Sequence, residues 1–189
     1  MVRSFAPTPV PSEVLDRVLR SGLRAPSAGN TQGTDLVVLE GVRQTERYWD
    51  VTLPAERRVR FPWPGLLAAP ILIIPVVSPA AYAARYSEPD KRDAGLASAG
   101  AWRIPYWYVD AAFVAMLVQL AAIDEGLGVL FFGVFEYAAA LCRELGVPDG
   151  HEPIGTIAVG YPDSDGDRPS GSVSRHRRTT DEVVHRGGW

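Results

Sequence analysis

The 189-residue chain has few of the side chains from which proteins build disulfides and metal centres. Its single cysteine, Cys142, can form no internal disulfide and no thiolate metal cluster. The three histidines, His151, His176 and His185, do not have the spacing of a metal site. We therefore expect no metal centre built by the protein.

A large charge of either sign is missing too, and so is a long apolar run free of proline. The 22 acidic and 19 basic side chains leave a net charge of −3, which argues against nucleic acid as the main partner. The uncharged segment 61–84 contains five prolines, and the apolar segment 111–123 is shorter than the about 20 residues that a membrane helix needs. The N-terminus lacks the pattern of a signal peptide. These absences predict a soluble, cytoplasmic protein that does not bind membranes.

The hydrophobic pattern predicts one domain over residues 1–189, in which helices and strands are mixed around a single sheet. Such a mixture indicates the α+β or α/β class. The predicted helices cover 12–24, 43–50, 110–125 and 136–145, and the predicted strands cover 35–40, 70–77, 127–132 and 154–159.

Four local features give more specific expectations. Pro75 places the second strand near a sheet edge or a bulge. Asp110 is suited to cap a helix that is apolar almost all round and is therefore expected to be buried. Residues 79–108 carry a cluster of aromatic side chains and are expected to form a long functional loop. The mostly polar segment 163–189 ends in apolar residues, which predicts a C-terminal arm that docks on another subunit.

The usual catalytic motifs are absent. Gly126-Leu-Gly128 lacks the third glycine of a dinucleotide-binding loop, and no phosphate-binding loop or nucleophile elbow is present. Cys142 has apolar neighbours in a predicted helix, which favours an inert thiol over a nucleophile. Asp124 and Glu125 are adjacent in a helix and therefore point apart. If the protein is an enzyme, we expect a cofactor to carry its chemistry.

Residues 25–32, with the sequence APSAGNTQ, are the most informative segment. Pro26 ends a helix, small residues follow, and Ser27, Asn30 and Gln32 supply hydroxyl and amide groups. A turn of this kind exposes backbone N–H groups beside polar side chains, which suits a planar heteroaromatic ligand. Taken alone, the segment is better explained as a polar connection between a helix and a strand.

Six short motifs, in order along nearly the whole chain, resemble those of the flavin-dependent nitroreductase family. The resemblance implies FMN as the cofactor. It also implies an α+β sandwich with a central mixed, mainly antiparallel sheet flanked by helices, and a homodimer with both flavins in the subunit interface. The motifs are Arg3-Ser-Phe5 with Pro9-Val-Pro11; Ala25 to Gln32; Asp110 leading to Gly126-Leu-Gly128 and Phe132-Gly-Val134; Leu145-Gly-Val-Pro148; Val159-Gly-Tyr-Pro162; and Arg175-His-Arg177 before Glu182-Val-Val-His185.

The same resemblance implies a role for each matching residue. Arg3 would lie near the N1/C2=O edge of the flavin, the backbone of Gly133 and Val134 would face N5, and Arg175 and Arg177 would hold the phosphate. Contacts with the ring and ribityl chain, made from the other subunit, would come from Pro26, Ser27, Ala28, Asn30 and Gln32. We expect Tyr106, Trp107 and Tyr108 either to form a wall on the substrate side of the flavin or to pack in the core.

The sequence departs from the family at two places. The Arg-x-Ser that usually precedes the first motif is not in this sequence, and Gly33-Thr34 replaces the usual Pro-Trp. Losing one charged hydrogen-bond partner weakens binding by about 1.5–3 kcal/mol, or roughly 10- to 150-fold. We expect either that Arg175 and Arg177 hold the phosphate unaided or that FMN is bound more weakly.

The function that follows is an oxidoreductase that passes a hydride from NAD(P)H, through flavin N5, to an electron-poor nitroaromatic or quinone. A flavin-binding protein without turnover, for storage or sensing, is an alternative. Specialised flavin chemistry, such as dehalogenation or flavin breakdown, is another. The motifs leave open whether NADH or NADPH is used and whether a deazaflavin replaces FMN.

Overall fold

A computed structural model describes residues 1–189 and shows a five-stranded sheet with helices on both faces. The strands are β1 (Thr34–Glu40), β2 (Ile71–Val77), β3 (Gly128–Phe132), β4 (Glu152–Pro153) and β5 (Thr156–Gly160). The helices are α1 (Ser12–Gly22), α2 (Val42–Thr52), α3 (Ala55–Arg58), α4 (Pro79–Arg85), α5 (Tyr106–Asp124), α6 (Ala138–Leu145) and α7 (Thr180–Val183).

Every strand pair is antiparallel, and the order across the sheet is β1-β2-β5-β3, with β4 beside the end of β2. The predicted α+β class is confirmed, and the sheet contains no parallel pair. Strand β2 is buried along its whole length because it lies inside the sheet with helices on both faces.

Pro75 lies in this central strand and not at an edge, so the predicted edge position is wrong. On one side β2 pairs with β5 through Ile71–Ile73 and with β4 through Val76 and Val77. The carbonyl of Pro75 accepts a hydrogen bond from the N–H of Ile154 (3.0 Å) in the break between these strands. Since the N and C=O of a strand residue point the same way, the missing N–H of Pro75 falls in the break and no ladder bond is lost.

Alternate residues of the sheet build two cores. On one face Ile73 and Ile157 pack against Val18 of α1 and Val118 of α5, and all four are fully buried. The opposite face packs against α2, α6 and the N-terminal segment. Its buried members include Phe5, Tyr48, Leu72, Leu130, Leu141 and Ala158.

Helix α5 differs from its prediction in three ways. It begins at Tyr106, so Asp110 lies inside the helix and does not cap it. With 19 residues and a hydropathy of 1.5 it is long and apolar enough to span a membrane, by length and composition only. It is also not buried all round. One side packs against α1 and the sheet, while the other exposes Phe113, Met116, Leu120 and Ile123 by 46–55%.

The long loop expected over residues 79–108 is wrong in part, because α4, two single helical turns and the start of α5 together occupy about half of this segment. From Asp163 onwards the chain is largely exposed. It touches the body of the protein through Asp163, which accepts from the hydroxyl of Ser4 (2.9 Å), and through Asp167, which accepts from the N–H of Arg3 (3.0 Å). The apolar side chains at its end, Val183, Val184 and Trp189, are exposed.

Candidate functional site

A cavity of 790 Å³ opens where β3 ends, on the face of the sheet covered by α2. Trp49 of α2 stacks parallel to Phe132 of β3, with ring centroids 6.0 Å apart, and forms the floor with Tyr48. The indole nitrogen of Trp49 is buried and has no hydrogen-bond partner. The remaining walls are mainly apolar and include Leu53, Phe61, Trp63, Leu66, Leu130, Val134 and Tyr137.

Tyr48 is held in this floor by a buried hydrogen bond. Its hydroxyl accepts a hydrogen bond from Thr156 (2.9 Å) at the start of β5. Burial raises the pKa of the Tyr48 phenol to about 12, although that bond opposes the shift. The phenol is therefore protonated at neutral pH.

Arg3 is the cationic residue that lines the cavity. Its neighbours Ser4 and Phe5 are 2% exposed and fix this part of the chain. The guanidinium lies over the ring of Trp63, 5.7 Å from the centroid, which is a cation–π distance. It forms no ion pair with a carboxylate. The guanidinium of Arg3 is thus held beside the cavity without an ion-pair partner in the chain.

Gly133 and Val134 follow β3 directly and line the same cavity, so the structure brings them together with Arg3. Their backbone N–H groups donate no hydrogen bond within the chain, and neither do those of Phe135 and Glu136. Such a run of free donors beside a cavity is suited to binding acceptor atoms of a ligand.

The segment 25–32 lies elsewhere, at the other edge of the sheet, before β1. Its backbone has positive φ at Gly29 (62°), Asn30 (54°) and Gln32 (54°). Ser27 accepts the N–H of Gln32 on its hydroxyl (2.9 Å) and the N–H of Asn30 on its carbonyl (2.8 Å). Two non-glycine residues in the left-handed region mark a strained turn, a feature that clusters at binding sites. Pro26, Ser27 and Gln32 line a second cavity of 280 Å³.

Asp110 holds this turn against α5. The carboxylate is 3% exposed, and Oδ2 accepts from the N–H of Ala28 (2.8 Å) and the hydroxyl of Tyr82 (2.7 Å). Burial and the neighbouring Asp110 carboxylate raise the pKa of Tyr82, so this phenol stays a donor. Sequence reasoning missed this role, although Asp110 is the one charged residue in α5 before its last position.

The three aromatic residues at the start of α5 line neither cavity. Trp107 is 7% exposed and packs with Tyr82 and Ala111 in a small core, which matches the packing alternative. Tyr106 and Tyr108 are about 40% exposed, and the hydroxyl of Tyr108 donates to Glu152. This bond raises the pKa of Tyr108.

Arg175 and Arg177 are exposed on the arm, outside both cavities. Neither side chain forms a hydrogen bond or an ion pair within the chain. Sequence reasoning also missed the walls Trp49, Phe61 and Trp63. The aromatic motif Phe61-Pro-Trp63 was the available signal for two of them.

Comparison with known proteins identifies the family and the fold. A model described as the nitroreductase family matches residues 1–161. A putative nitroreductase from Bacillus subtilis is 20% identical with a TM-score of 0.73, covering 97% of this chain and 92% of that one. An FMN-dependent nitroreductase from Clostridium difficile is 21% identical with a TM-score of 0.66, covering 100% and 94%. A putative NADH oxidase from Clostridium acetobutylicum is 20% identical with a TM-score of 0.69, covering 100% and 95%. The three structures show the same fold.

Proposed function

The chain belongs to the nitroreductase family, and from this premise we propose that it is an NAD(P)H-dependent oxidoreductase that binds FMN in the 790 Å³ cavity and works as a homodimer. The observation that carries the proposal is the joint presence, in one aromatic cavity, of Arg3 and the free backbone donors of Gly133 and Val134.

The residues of the cavity fit a flavin ring. The volume lies within the roughly 300–1,000 Å³ of small-molecule sites, and aromatic walls suit a planar heterocycle. A flavin presents nitrogen and carbonyl acceptors along its edge, and the chain offers unpaired donors at Gly133, Val134 and the indole of Trp49. The indole nitrogen of Trp49 is buried, and a buried unpaired donor is destabilising until a partner accepts from it, which favours a bound ligand.

When bound, FMN supplies the redox chemistry, accepting a hydride from NAD(P)H and passing two electrons to an electron-poor acceptor. The residues of the chain bind and orient the cofactor and the substrates. Arg3 would place a positive charge beside the flavin ring and stabilise negative charge there. The backbone N–H groups of Gly133 and Val134 would donate to the flavin, and the aromatic walls would exclude water. No side chain in the cavity is needed as an acid or base, in keeping with the absence of a catalytic motif.

The positions of the cavity and of the turn 25–32 support a dimer, because one chain cannot bring these two parts together around the same flavin. The cavity and the turn 25–32 lie at the same end of the sheet, but beside β3 and β1, the two edge strands. Three strand spacings separate these edges, about 14 Å. The turn also packs on the α5 face, whereas the cavity is on the α2 face. A second copy would bring its turn to the cavity of the first.

The exposed side of α5 supports the same arrangement. Phe113, Met116, Leu120 and Ile123 form one apolar stripe along the helix, each about half exposed. A contiguous patch of this kind marks an interaction surface more often than free surface. We assign it to the second copy, with the arm of residues 163–189 docking on the partner and bringing Arg175 and Arg177 to the phosphate.

The test is an absorption spectrum of the purified protein, with mass spectrometry of the compound that heat releases. The proposal expects a yellow protein that releases FMN, bleaches with anaerobic NADH or NADPH, and recovers its colour with a quinone or a nitroaromatic. A protein that is yellow but does not bleach would point instead to storage or sensing. A protein that neither carries nor binds FMN would contradict the proposal.

A further inference from the structure

Phe135 has two properties that the fold does not explain. It lies in the turn between β3 and α6, where its side chain is 86% exposed and its φ is +48°. We propose that Phe135 is a specificity-determining residue that contacts planar aromatic acceptors at the mouth of the 790 Å³ cavity. This inference rests on the proposed function.

The phenyl ring of Phe135 adds little to the stability of the chain. A left-handed backbone is unfavourable for a bulky residue and is readily adopted by glycine or asparagine. Burial of the side chain usually compensates for such strain, but the ring of Phe135 is almost fully in solvent. Strained residues of this kind concentrate at binding sites. We therefore expect the ring of Phe135 to contribute to the binding of a ligand.

The ring of Phe135 lies at the cavity, directly beside Gly133. Phe135 lines the cavity, and its ring tip stands over Gly133, where an added Cβ would lie 2.5–2.9 Å from three ring atoms. The ring therefore occupies the space directly above the backbone that we propose donates to the flavin. Phe131 of β3, which is 37% exposed, also lines the cavity. A planar acceptor that approaches Gly133 would meet the ring of Phe135.

Phe135 is not part of the apolar stripe that we assign to the second copy, which is on α5, on the opposite face of the sheet. Phe135 belongs to the turn after β3 and lines the cavity beside Gly133. This position favours a planar ligand at the cavity mouth as its occupant. Since the second copy would also bring its turn 25–32 to this cavity, a contact of Phe135 with the partner subunit is an outcome of the test.

The experiment compares Phe135→Ala with Phe135→Tyr, which keeps an aromatic ring, in the FMN-loaded protein. The probes are benzoate and cyclohexanecarboxylate, which have the same charge and differ in planarity, and calorimetry measures their dissociation constants. Loss of one aromatic contact weakens binding about three- to tenfold. We expect that loss for benzoate in Phe135→Ala only, with no change for cyclohexanecarboxylate, together with a raised KM for a quinone acceptor.

Two further measurements make the inference falsifiable. FMN content and the molecular mass in solution should be unchanged in Phe135→Ala, and Phe135→Gly should not lower the Tm. Equal effects on both probes, no effect on either, or dissociation of the dimer would overturn the role of Phe135. A parent protein that does not bind FMN would instead overturn the proposed function, and this inference with it.

Discussion

The backbone N–H of Ala28 donates a 2.8 Å hydrogen bond to the carboxylate of Asp110, which lies 82 residues later and is buried in α5. This bond attaches the strained turn 25–32 to the helix whose exposed side we assign to the dimer interface. The turn that we propose contacts flavin and the surface that meets the second copy are therefore supported by the same helix.

Replacing Asp110 tests that connection. Asp110→Leu leaves the N–H of Ala28 and the hydroxyl of Tyr82 without a partner. Each buried unpaired group costs about 1–3 kcal/mol, so we expect the free energy of unfolding to fall by roughly 2–6 kcal/mol and FMN to bind at least tenfold more weakly. Urea denaturation and an FMN titration measure the two quantities.

Two control variants sharpen the Asp110 test. Asp110→Asn keeps an oxygen that can accept both bonds and should be milder, while Asp124→Asn, at the exposed end of α5, should change neither quantity. If Asp110→Leu loses stability but binds FMN with parent affinity, the turn does not contact the cofactor.

The charge of Arg3 should set the reduction potential of the bound flavin. Arg3→Met removes the cation from the cavity and disfavours the anionic reduced form. An effect of about 1.4 kcal/mol corresponds to roughly 30 mV for a two-electron couple, so we expect a midpoint potential lower by at least that amount and slower reduction by NAD(P)H. Trp63→Leu, which frees the guanidinium from its aromatic support, should shift the potential in the same direction by less. Arg3→Lys is the charge-conserving control, and an unchanged potential in Arg3→Met would remove Arg3 from the flavin edge.

The arginines of the arm should carry most of the phosphate binding. Arg175→Ala combined with Arg177→Ala removes two possible charge-assisted bonds, each worth about 1.5–3 kcal/mol. We expect mostly apoprotein, judged by the ratio of flavin to protein absorbance after purification. Arg168→Ala, in the preceding polar segment, is the matched control and should retain its FMN. A double variant that purifies with full FMN would show that another group binds the phosphate.

Sequence reasoning succeeded where one segment determines its own structure. β1 and β2 were predicted to within one residue at each end, because their apolar runs have strand length and end at glycine or polar residues. It failed where distant segments meet. Asp110 has its partners in two other parts of the chain, so a local pattern could assign it only as a helix cap.

For a related reason, local patterns could not predict which side of α5 is exposed or which residues form the cavity walls. A helix that is apolar all round does not reveal which side the sheet covers and which it leaves exposed. Trp49, Trp63 and Phe132 come from three segments, and only the folded sheet places them around one cavity. The motif residues Arg3, Gly133 and Val134 were predicted by family resemblance, and the fold brings them together there.

The most direct test of the central claim, that two chains build each flavin site, is the FMN bound by mixed dimers. Arg3→Glu places a negative charge in the cavity half, and Asn30→Glu, on an exposed side chain, places one in the turn half. Each variant alone should bind no FMN. When the two are co-expressed, random pairing makes about half of the dimers mixed, and each mixed dimer has one intact site, so about a quarter of the parent FMN content should return. If each variant folds but no FMN returns in the co-purified mixture, each flavin site lies within a single chain and the account is contradicted.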